Sequence, residues 1–428
     1  MRCAFITFGC KVNQYDTQLL RERLAARGYA EVSPHEEADL YVVNTCAVTA
    51  QSERKARHQV HRLAREHPAA RIVVTGCSVQ RDRRAWSQVA GVSAVAGIGE
   101  AMLLFGDDRP GTVEGHGIQH FAGHTRAFLK VQEGCDAYCS YCIVPYVRGR
   151  SRSRPPKAVL EEARRLVDSG HREIVVTGIH VGLYGRDLVT GSTLVDLLCS
   201  MEKIPGLDRL RLSSIEIGEV TEELIAFAAE SEKFCPHFHV PLQSGDDEVL
   251  KRMRRTYSAP DFLRTLEHVR ATLDRPAVSS DAMVGFPGET DRAFANTVRV
   301  CREAGFSRLH VFPFSARPGT EAATLPDCVD PSTASEREAH LLELGRSLAL
   351  EFKRQFIAQR VRVLVECRRD RQTGLLAGYC DRYMRCLLIG PDDWMNEIVQ
   401  AKVAEATAEH LLVEPVGERE NNRVGEPI

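Results

Sequence analysis

The sequence predicts an α/β protein in three units: an N-terminal open parallel sheet, a central partial (β/α)6 barrel and a small C-terminal all-β barrel. Three observations predict this. Short apolar runs alternate with amphipathic stretches up to about residue 330, the pattern of βα units built on parallel strands. A Gly-rich polar stretch at residues 106–124 interrupts the alternation and reads as a linker. Beyond residue 356 the period shortens to brief alternating strands punctuated by Gly, Pro and Asp. The length of 428 residues suits about three domains, placed at 1–122, 123–350 and 357–420.

The first unit opens with an apolar run at residues 3–8, followed by a helical pattern carrying Leu19, Leu20, Leu24 and Ala25 that closes at Gly28. The same alternation recurs. Residues 40–43 end at Asn44, Thr45 and Cys46, and residues 72–75 end at Gly76 and Cys77. Cys10, Cys46 and Cys77 therefore each follow a strand, and the carboxyl ends of parallel strands form the rim at which ligands bind. They converge there despite 35 and 30 intervening residues, unless they are three unrelated core thiols, since free cysteine is often buried.

Strands of the second unit are expected at 127–131, 173–177, 209–213, 238–240, 278–284 and 309–312, with helices near 157–168, 220–230 and 290–304. Six strands with crossover helices suggest a partly closed barrel whose chemistry lies at the C-terminal strand ends. A helical stretch at 333–356 leads into the third unit, with strands at 361–365, 385–389, 398–403 and 410–414, and the last ten or so residues read as a frayed end.

Lys and Arg total 56 against 58 Asp and Glu, a net charge of -2, so no global basic field marks a nucleic-acid partner and any such contact must be local. No run of about 18 uncharged apolar residues is present to span a bilayer, and the apolar N-terminal segment is too short for a secretory signal, which places the protein in the cytoplasm. Fourteen cysteines in a chain of this size point to metal or redox use rather than a disulfide framework.

Only Cys135, Cys139 and Cys142 are closely spaced. The pattern C-x3-C-x2-C puts three soft thiolates on one loop; a cubane iron–sulfur cluster has four irons, so one is left open. A structural zinc site needs a fourth Cys or His nearby, and residues 143–147 supply none; zinc and a ferredoxin-like redox centre remain the alternatives. With Gly134 before the first cysteine and Tyr141 before the third, the segment resembles the radical S-adenosylmethionine enzymes, in which the open iron chelates that cosubstrate. The resemblance implies a radical-SAM barrel here. It also implies cosubstrate contacts at Tyr141, at Gly178 in the strand end 176–180, at Glu216, at Gln243 in 240–245, and at Gly285 and Phe286 in 283–290, although each of these segments alone also reads as a turn and Glu216 as a helix cap.

The string Gly9-Cys10-Lys11-Val12-Asn13-Gln14-Tyr15-Asp16-Thr17, with Asn44-Thr45-Cys46 and Thr75-Gly76-Cys77, resembles the first domain of the methylthiotransferases, and the resemblance covers nearly the whole chain. It implies two 4Fe-4S clusters, one on Cys10, Cys46 and Cys77 presenting sulfur and one on Cys135, Cys139 and Cys142 generating a radical, with S-adenosylmethionine as cosubstrate, an external electron donor and an unidentified sulfur donor. It implies replacement of C–H by C–S–CH3. Three substrates occur in the family: isopentenyladenosine in tRNA, threonylcarbamoyladenosine in tRNA, and an aspartate of a ribosomal protein. The string after Cys10 is most similar to the threonylcarbamoyladenosine branch, because the isopentenyl branch carries Gln-Met-Asn there and the protein-modifying branch Pro-Lys-Asn. A non-catalytic iron–sulfur RNA-binding protein is the reading from a different class.

The third unit resembles the small TRAM-like RNA-binding barrel, yet residues 357–428 hold 10 basic and 12 acidic side chains. Local exceptions are Arg360 and Arg362 with Arg368, Arg369 and Arg371, and Tyr379 and Tyr383 are placed to stack on bases or to pack the barrel. A sharper run, Arg148, Arg150, Arg152, Arg154 and Lys157, occupies ten residues without an acid beside the radical trio. It reads either as a solvated loop or as a collar contacting phosphates around a flipped-out nucleoside.

Overall fold

A computed structural model describes residues 1–105 and 117–416. The expected linker lies outside the described residues over 106–116, and so does the expected frayed C-terminus. Residues 117–124 are not loose: Ile118 and Phe121 are buried in the central core.

Five parallel strands form the first sheet in the order β2-β1-β3-β4-β5, with β1 Arg2–Thr7, β2 Ala30–Glu31, β3 Leu40–Thr45, β4 Arg71–Gly76 and β5 Ala94–Val95. Central β3 is buried at every position, as expected where helices cover both faces. The helix Lys11–Ala26 packs Leu20 and Leu24 on one face, and the helix Ala50–Glu66 packs Ala56, Val60 and Leu63 on the other.

The second unit is a half-barrel. Strands β6 Arg126–Glu133, β7 Arg152–Ser153, β8 Glu173–Gly178 and β9 Arg209–Leu212 form one sheet, and β10 His237–His239, β11 Ala277–Val284 and β12 Arg308–Pro313 form another. Bridges Leu210–Phe234 and Ser214–His239 join the two, so six parallel strands follow one another in chain order, with short β7 antiparallel on β6. The pleat sorts their side chains. Leu129, Ile174, Val176, Leu210, Leu212, Phe238 and Leu309 join the core with the surrounding helices, and the alternate positions Arg126, Lys130, Glu173, Arg209, Arg211, His237, His239, Asp281 and His310 line the lumen.

The helix Pro331–Arg354 lies against β12 and carries Phe352 into the third core, where β13 Arg360–Arg369, β14 Leu376–Cys380, β15 Arg385–Leu388, β16 Ile398–Ala406 and β17 Leu411–Pro415 close a barrel. Strand β14 escaped the sequence reading because Ala377 and Gly378 break its alternation. A Cβ at Gly378 would lie 2.4 Å from the Leu364 carbonyl oxygen, so the tight β13–β14 pairing excludes a side chain there.

This barrel stoppers the lumen at the N-terminal strand ends. Arg209 donates to the carbonyls of Tyr379 (3.0 Å) and Arg362 (2.5 Å), Arg211 donates to that of Asp381 (2.8 Å), and Glu173 accepts from Arg211 Nε at 2.6 Å. Tyr379 and Tyr383 stack with centroids 4.9 Å apart, beneath the guanidinium of Arg126 at 4.5 Å from the first ring and that of Arg211 at 4.8 Å from the second. Burial pushes the Glu173 carboxyl up, but Arg211 and Arg209 outweigh it and hold the group at about 2.

Glu173→Gln leaves two guanidiniums without a counter-charge and should cost about 3–5 kcal/mol. Because the folded value lies below the ordinary carboxyl value of about 4.3, Glu173's contribution is complete above that pH and fades as pH falls toward about 2. The gap in Tm between wild type and variant, measured by calorimetry, should narrow between pH 5 and pH 3; a constant gap refutes the assignment.

Candidate active site at the interface of two cysteine trios

Cys10 sits at the N-terminus of the helix Lys11–Ala26, Cys46 just beyond β3, and Cys77 just beyond β4. Asn13 ties them together. Its amide donates to the carbonyls of Phe8 (2.8 Å) and Thr45 (3.0 Å), which turns Oδ1 toward the sulfurs of Cys77 (3.7 Å) and Cys10 (3.9 Å). Gly76 has φ +101°, and a Cβ there would lie 2.4 Å from both Asn44 Oδ1 and the Thr45 carbonyl oxygen, so only glycine turns β4 directly into the buried Cys77. The structure thus brings the first trio to one rim.

The second trio follows β6 on a loop pinned by the Cys135 amide donating to the Gly149 carbonyl (3.0 Å) and the Cys142 amide to that of Cys139 (3.0 Å). Gly134 at φ +74° passes so near Arg150 that a Cβ would lie 2.0 Å from its carbonyl oxygen. His180 Nδ1 is 3.2 Å from Cys135 Sγ, and its Nε2 is 2.8 Å from Glu219. Arg255 donates to Cys139 Sγ at 3.6 Å and pairs with Glu216. Burial alone would lower the His180 pKa; its bonds to Cys135 and Glu219 raise it to about 10. These groups face a cavity of about 320 Å3 lined by Cys139, His180, Arg186, Glu216, Glu219 and Arg255.

Of the other expected cosubstrate residues, Gly178 abuts Gln132, whose Oε1 a Cβ would approach to 2.9 Å, and Gln243 is buried at φ +62°, its carbonyl accepting from the Met283 amide. The Gly285 amide donates to Glu289 at 2.7 Å. Phe286 is fully buried and packs edge-on against Tyr141 and Phe314, so it props Tyr141 behind the loop and presents no face to the cavity. Sequence reasoning missed Asn13, Asp16, Arg255 and Glu219 as parts of the site, and took His180 as part of a loop. A three-residue spacing that puts Asn13 and Asp16 on one face of one helix is the only signal that marked any of them.

The basic run divides. Arg148 is 6% exposed and is no phosphate contact: Nε donates to Cys77 Sγ (3.1 Å), Nη1 to Asp16 (2.8 Å) and Glu133 (2.9 Å), and Nη2 to Asn13 Oδ1 (2.5 Å). Lys130 completes the group with bonds to Asp16 (2.6 Å) and Glu133 (2.8 Å). Arg154 is likewise turned inward, to Glu162 at 2.6 Å and to the Tyr15 hydroxyl at 3.1 Å. The helix Val144–Arg148, directly beyond the second trio, packs Val147 with Ile143 against Ala47 and Cys77 of the first. Arg150, Arg152 and Lys157 remain exposed, Arg150 beside Asp136 at 2.6 Å, and Arg360 is exposed on the third unit, whereas Arg362 is half-buried.

The donor sets fit iron–sulfur ligation. Burial pushes the free thiols of Cys77 and Cys142 up to about 12, with Arg148 opposing the rise at Cys77; bound metal reverses that preference, and guanidiniums on Cys77 and Cys139 offset the negative charge of thiolate-bound clusters. His239, Asp281 and His310 also bring ligand atoms within 4.8 Å, but here both imidazoles are satisfied by Asp281 at 3.2 Å.

Comparison with known proteins agrees. Residues 129–301 match the model of the Radical SAM superfamily and residues 2–97 that of "Uncharacterized protein family UPF0004". The chain is 38% identical over 423 residues to the threonylcarbamoyladenosine tRNA methylthiotransferase MtaB of Bacillus subtilis, covering 94% of each chain, and 36% identical to that of Thermotoga maritima, covering 90% of each. It is 32% identical to a tRNA-2-methylthio-N(6)-dimethylallyladenosine synthase of Pelotomaculum thermopropionicum, covering 95% of this chain and 96% of that one. Among solved structures, the radical S-adenosylmethionine methyltransferase TsrM of Kitasatospora setae shares the fold at 16% identity and TM-score 0.54, over 75% of this chain and 77% of that one. Fold and site define a radical S-adenosylmethionine enzyme that uses iron–sulfur chemistry. Within that class, the chain belongs to the methylthiotransferase family. No helix among the described residues is long and apolar enough to cross a membrane.

Arg148→Met should destabilise the protein by about 3–5 kcal/mol in urea titration, because Asp16 and Glu133 lose a buried partner, while Arg150→Ala should move stability by less than about 1 kcal/mol. For RNA the order inverts: Arg150→Ala with Arg152→Ala should weaken binding and flatten its salt dependence. Unchanged binding across a salt series would remove these side chains from the interface.

Proposed function

We propose that this chain converts N6-threonylcarbamoyladenosine at position 37 of tRNA, beside the anticodon, to its 2-methylthio derivative. The observation that carries the reading is the match over 94% of both chains to a methylthiotransferase named for that nucleoside, with both cysteine trios in place. Two 4Fe-4S clusters fit the two donor sets. The chemistry these groups supply when bound is reductive cleavage of S-adenosylmethionine at Cys135, Cys139 and Cys142, and delivery of methylated sulfur at Cys10, Cys46 and Cys77.

The protein's own residues do the remaining work. Arg255 and Glu216 offer opposite charges beside Cys139, suited to the carboxylate and ammonium of the cosubstrate's methionine moiety. Gly178, Gln243 and Gly285 lie outside the lining of that cavity and act through the backbone of the strand ends, with Phe286 fixing Tyr141. Arg148 and Lys130 lock the two trios in one geometry, so that the radical and the sulfur reach the same carbon. Arg150, Arg152, Lys157 and Arg360 supply cations for the tRNA backbone. An external electron donor and a sulfur source complete the system.

The test supplies reconstituted enzyme with S-adenosylmethionine, reductant and an anticodon stem-loop bearing threonylcarbamoyladenosine, and follows nucleoside mass. The expected product carries one methylthio group. Cys135→Ala should abolish both 5′-deoxyadenosine and product, whereas Cys10→Ala should retain 5′-deoxyadenosine formation and lose product. Methylthiolation of isopentenyladenosine RNA or of a ribosomal protein, with none of the threonylcarbamoyl substrate, overturns the reading.

A further inference from the structure

We propose that Lys11 determines substrate choice by pairing with the carboxylate of the threonylcarbamoyl group, an inference that rests on the function proposed above. Lys11 follows Cys10 directly and begins the helix Lys11–Ala26, which packs against β6 at the wall of the half-barrel. It is half-buried, and its charge acts on His237 and on the Tyr383 phenol, both in the lumen.

Its partners set it apart. Most other cations along this wall are matched, Lys130 and Arg148 by Asp16 and Glu133, Arg154 by Glu162, Arg126 by Glu366, and Arg209 and Arg211 by Glu173, while the exposed Arg308 of β12 lies away from both cysteine trios. Among the described residues Lys11 has neither an ion pair nor a hydrogen bond from its ammonium. A half-buried ammonium with no protein partner can take an anionic ligand without first breaking an ion pair. Nearby, the Asp281 carboxylate is already shared by His239 and His310, so no free acid on the wall competes for that role.

The chemistry of the substrate fits this position. In adenine only N1 and C6 separate the C2 to be sulfurated from the nitrogen that bears the threonylcarbamoyl group. A side chain rooted beside a ligand of the sulfur-bearing site is therefore within reach of that group while C2 faces the sulfur. An uncharged prenyl group at the same nitrogen leaves the ammonium unpaired, which discriminates against it.

Lys11→Met and Lys11→Arg would be compared with wild type on stem-loops carrying threonylcarbamoyladenosine and its uncharged threonine-amide analogue. Wild type should favour the acid over the amide in kcat/KM. Lys11→Met should lose roughly 10- to 100-fold on the acid, the range of a charge-assisted hydrogen bond, with little change on the amide, and Lys11→Arg should restore much of the loss. Iron and sulfide content and substrate-free 5′-deoxyadenosine formation should match wild type. Equal losses on both substrates, or an unchanged acid preference, would sink the inference. If wild type modifies neither stem-loop, it is the proposed substrate itself that fails.

Discussion

The architecture depends on one buried guanidinium. Arg148 bonds to a cysteine of the first trio while standing on the helix that follows the second, and two carboxylates from different units close on it. With Lys130 it makes a quartet of two cations and two anions, neutral as a set. That balance is what makes so many ionised groups tolerable out of water. A single unmatched member would carry a cost of several kcal/mol, so the quartet admits one docking geometry and penalises others. Two half-sites that must address one carbon atom need this kind of fixed relation, because a small misalignment costs rate steeply.

A second polar network does similar work at the opposite end of the lumen. Glu173 is shared by Arg209 and Arg211, whose remaining donors engage carbonyls of the C-terminal barrel, and the paired rings of Tyr379 and Tyr383 lie under Arg126 and Arg211. The barrel therefore closes the floor of the half-barrel. With the floor shut, the strand ends carrying the cysteine loop become the side at which a nucleoside meets the reactive centre.

Much of this was legible in the sequence because the signals are local. Each cysteine of the first trio follows an apolar strand, the second trio is compact, and the strand–helix alternation sets the half-barrel strands within a residue or two of their observed limits. The basic run was misread in part because a string of arginines looks the same whether solvated or matched. Arg148 meets its carboxylate 132 positions away and Arg154 its phenol 139 away, and no periodicity encodes such pairings. Tyr379 and Tyr383 belong to the same class: aromatic residues on a small barrel reveal nothing of the guanidiniums that cover them until another unit is docked.

The near-zero net charge acquires a physical meaning from this arrangement. Many of the arginines are consumed at interfaces inside the molecule, each with a carboxylate, so they contribute nothing to the outer field. What remains outside near the cysteine loop is a short exposed set, Arg150, Arg152, Lys157 and Arg186. A protein with a diffuse positive surface binds any RNA by counterion release. One with few cations at the mouth of its site gains little there from backbone alone, and must draw its selectivity from the base that enters the lumen. Interior charge matching and substrate discrimination are then two sides of one design, since a wall in which most cations are already paired is what makes an unpaired one beside the sulfur-bearing trio informative to a ligand.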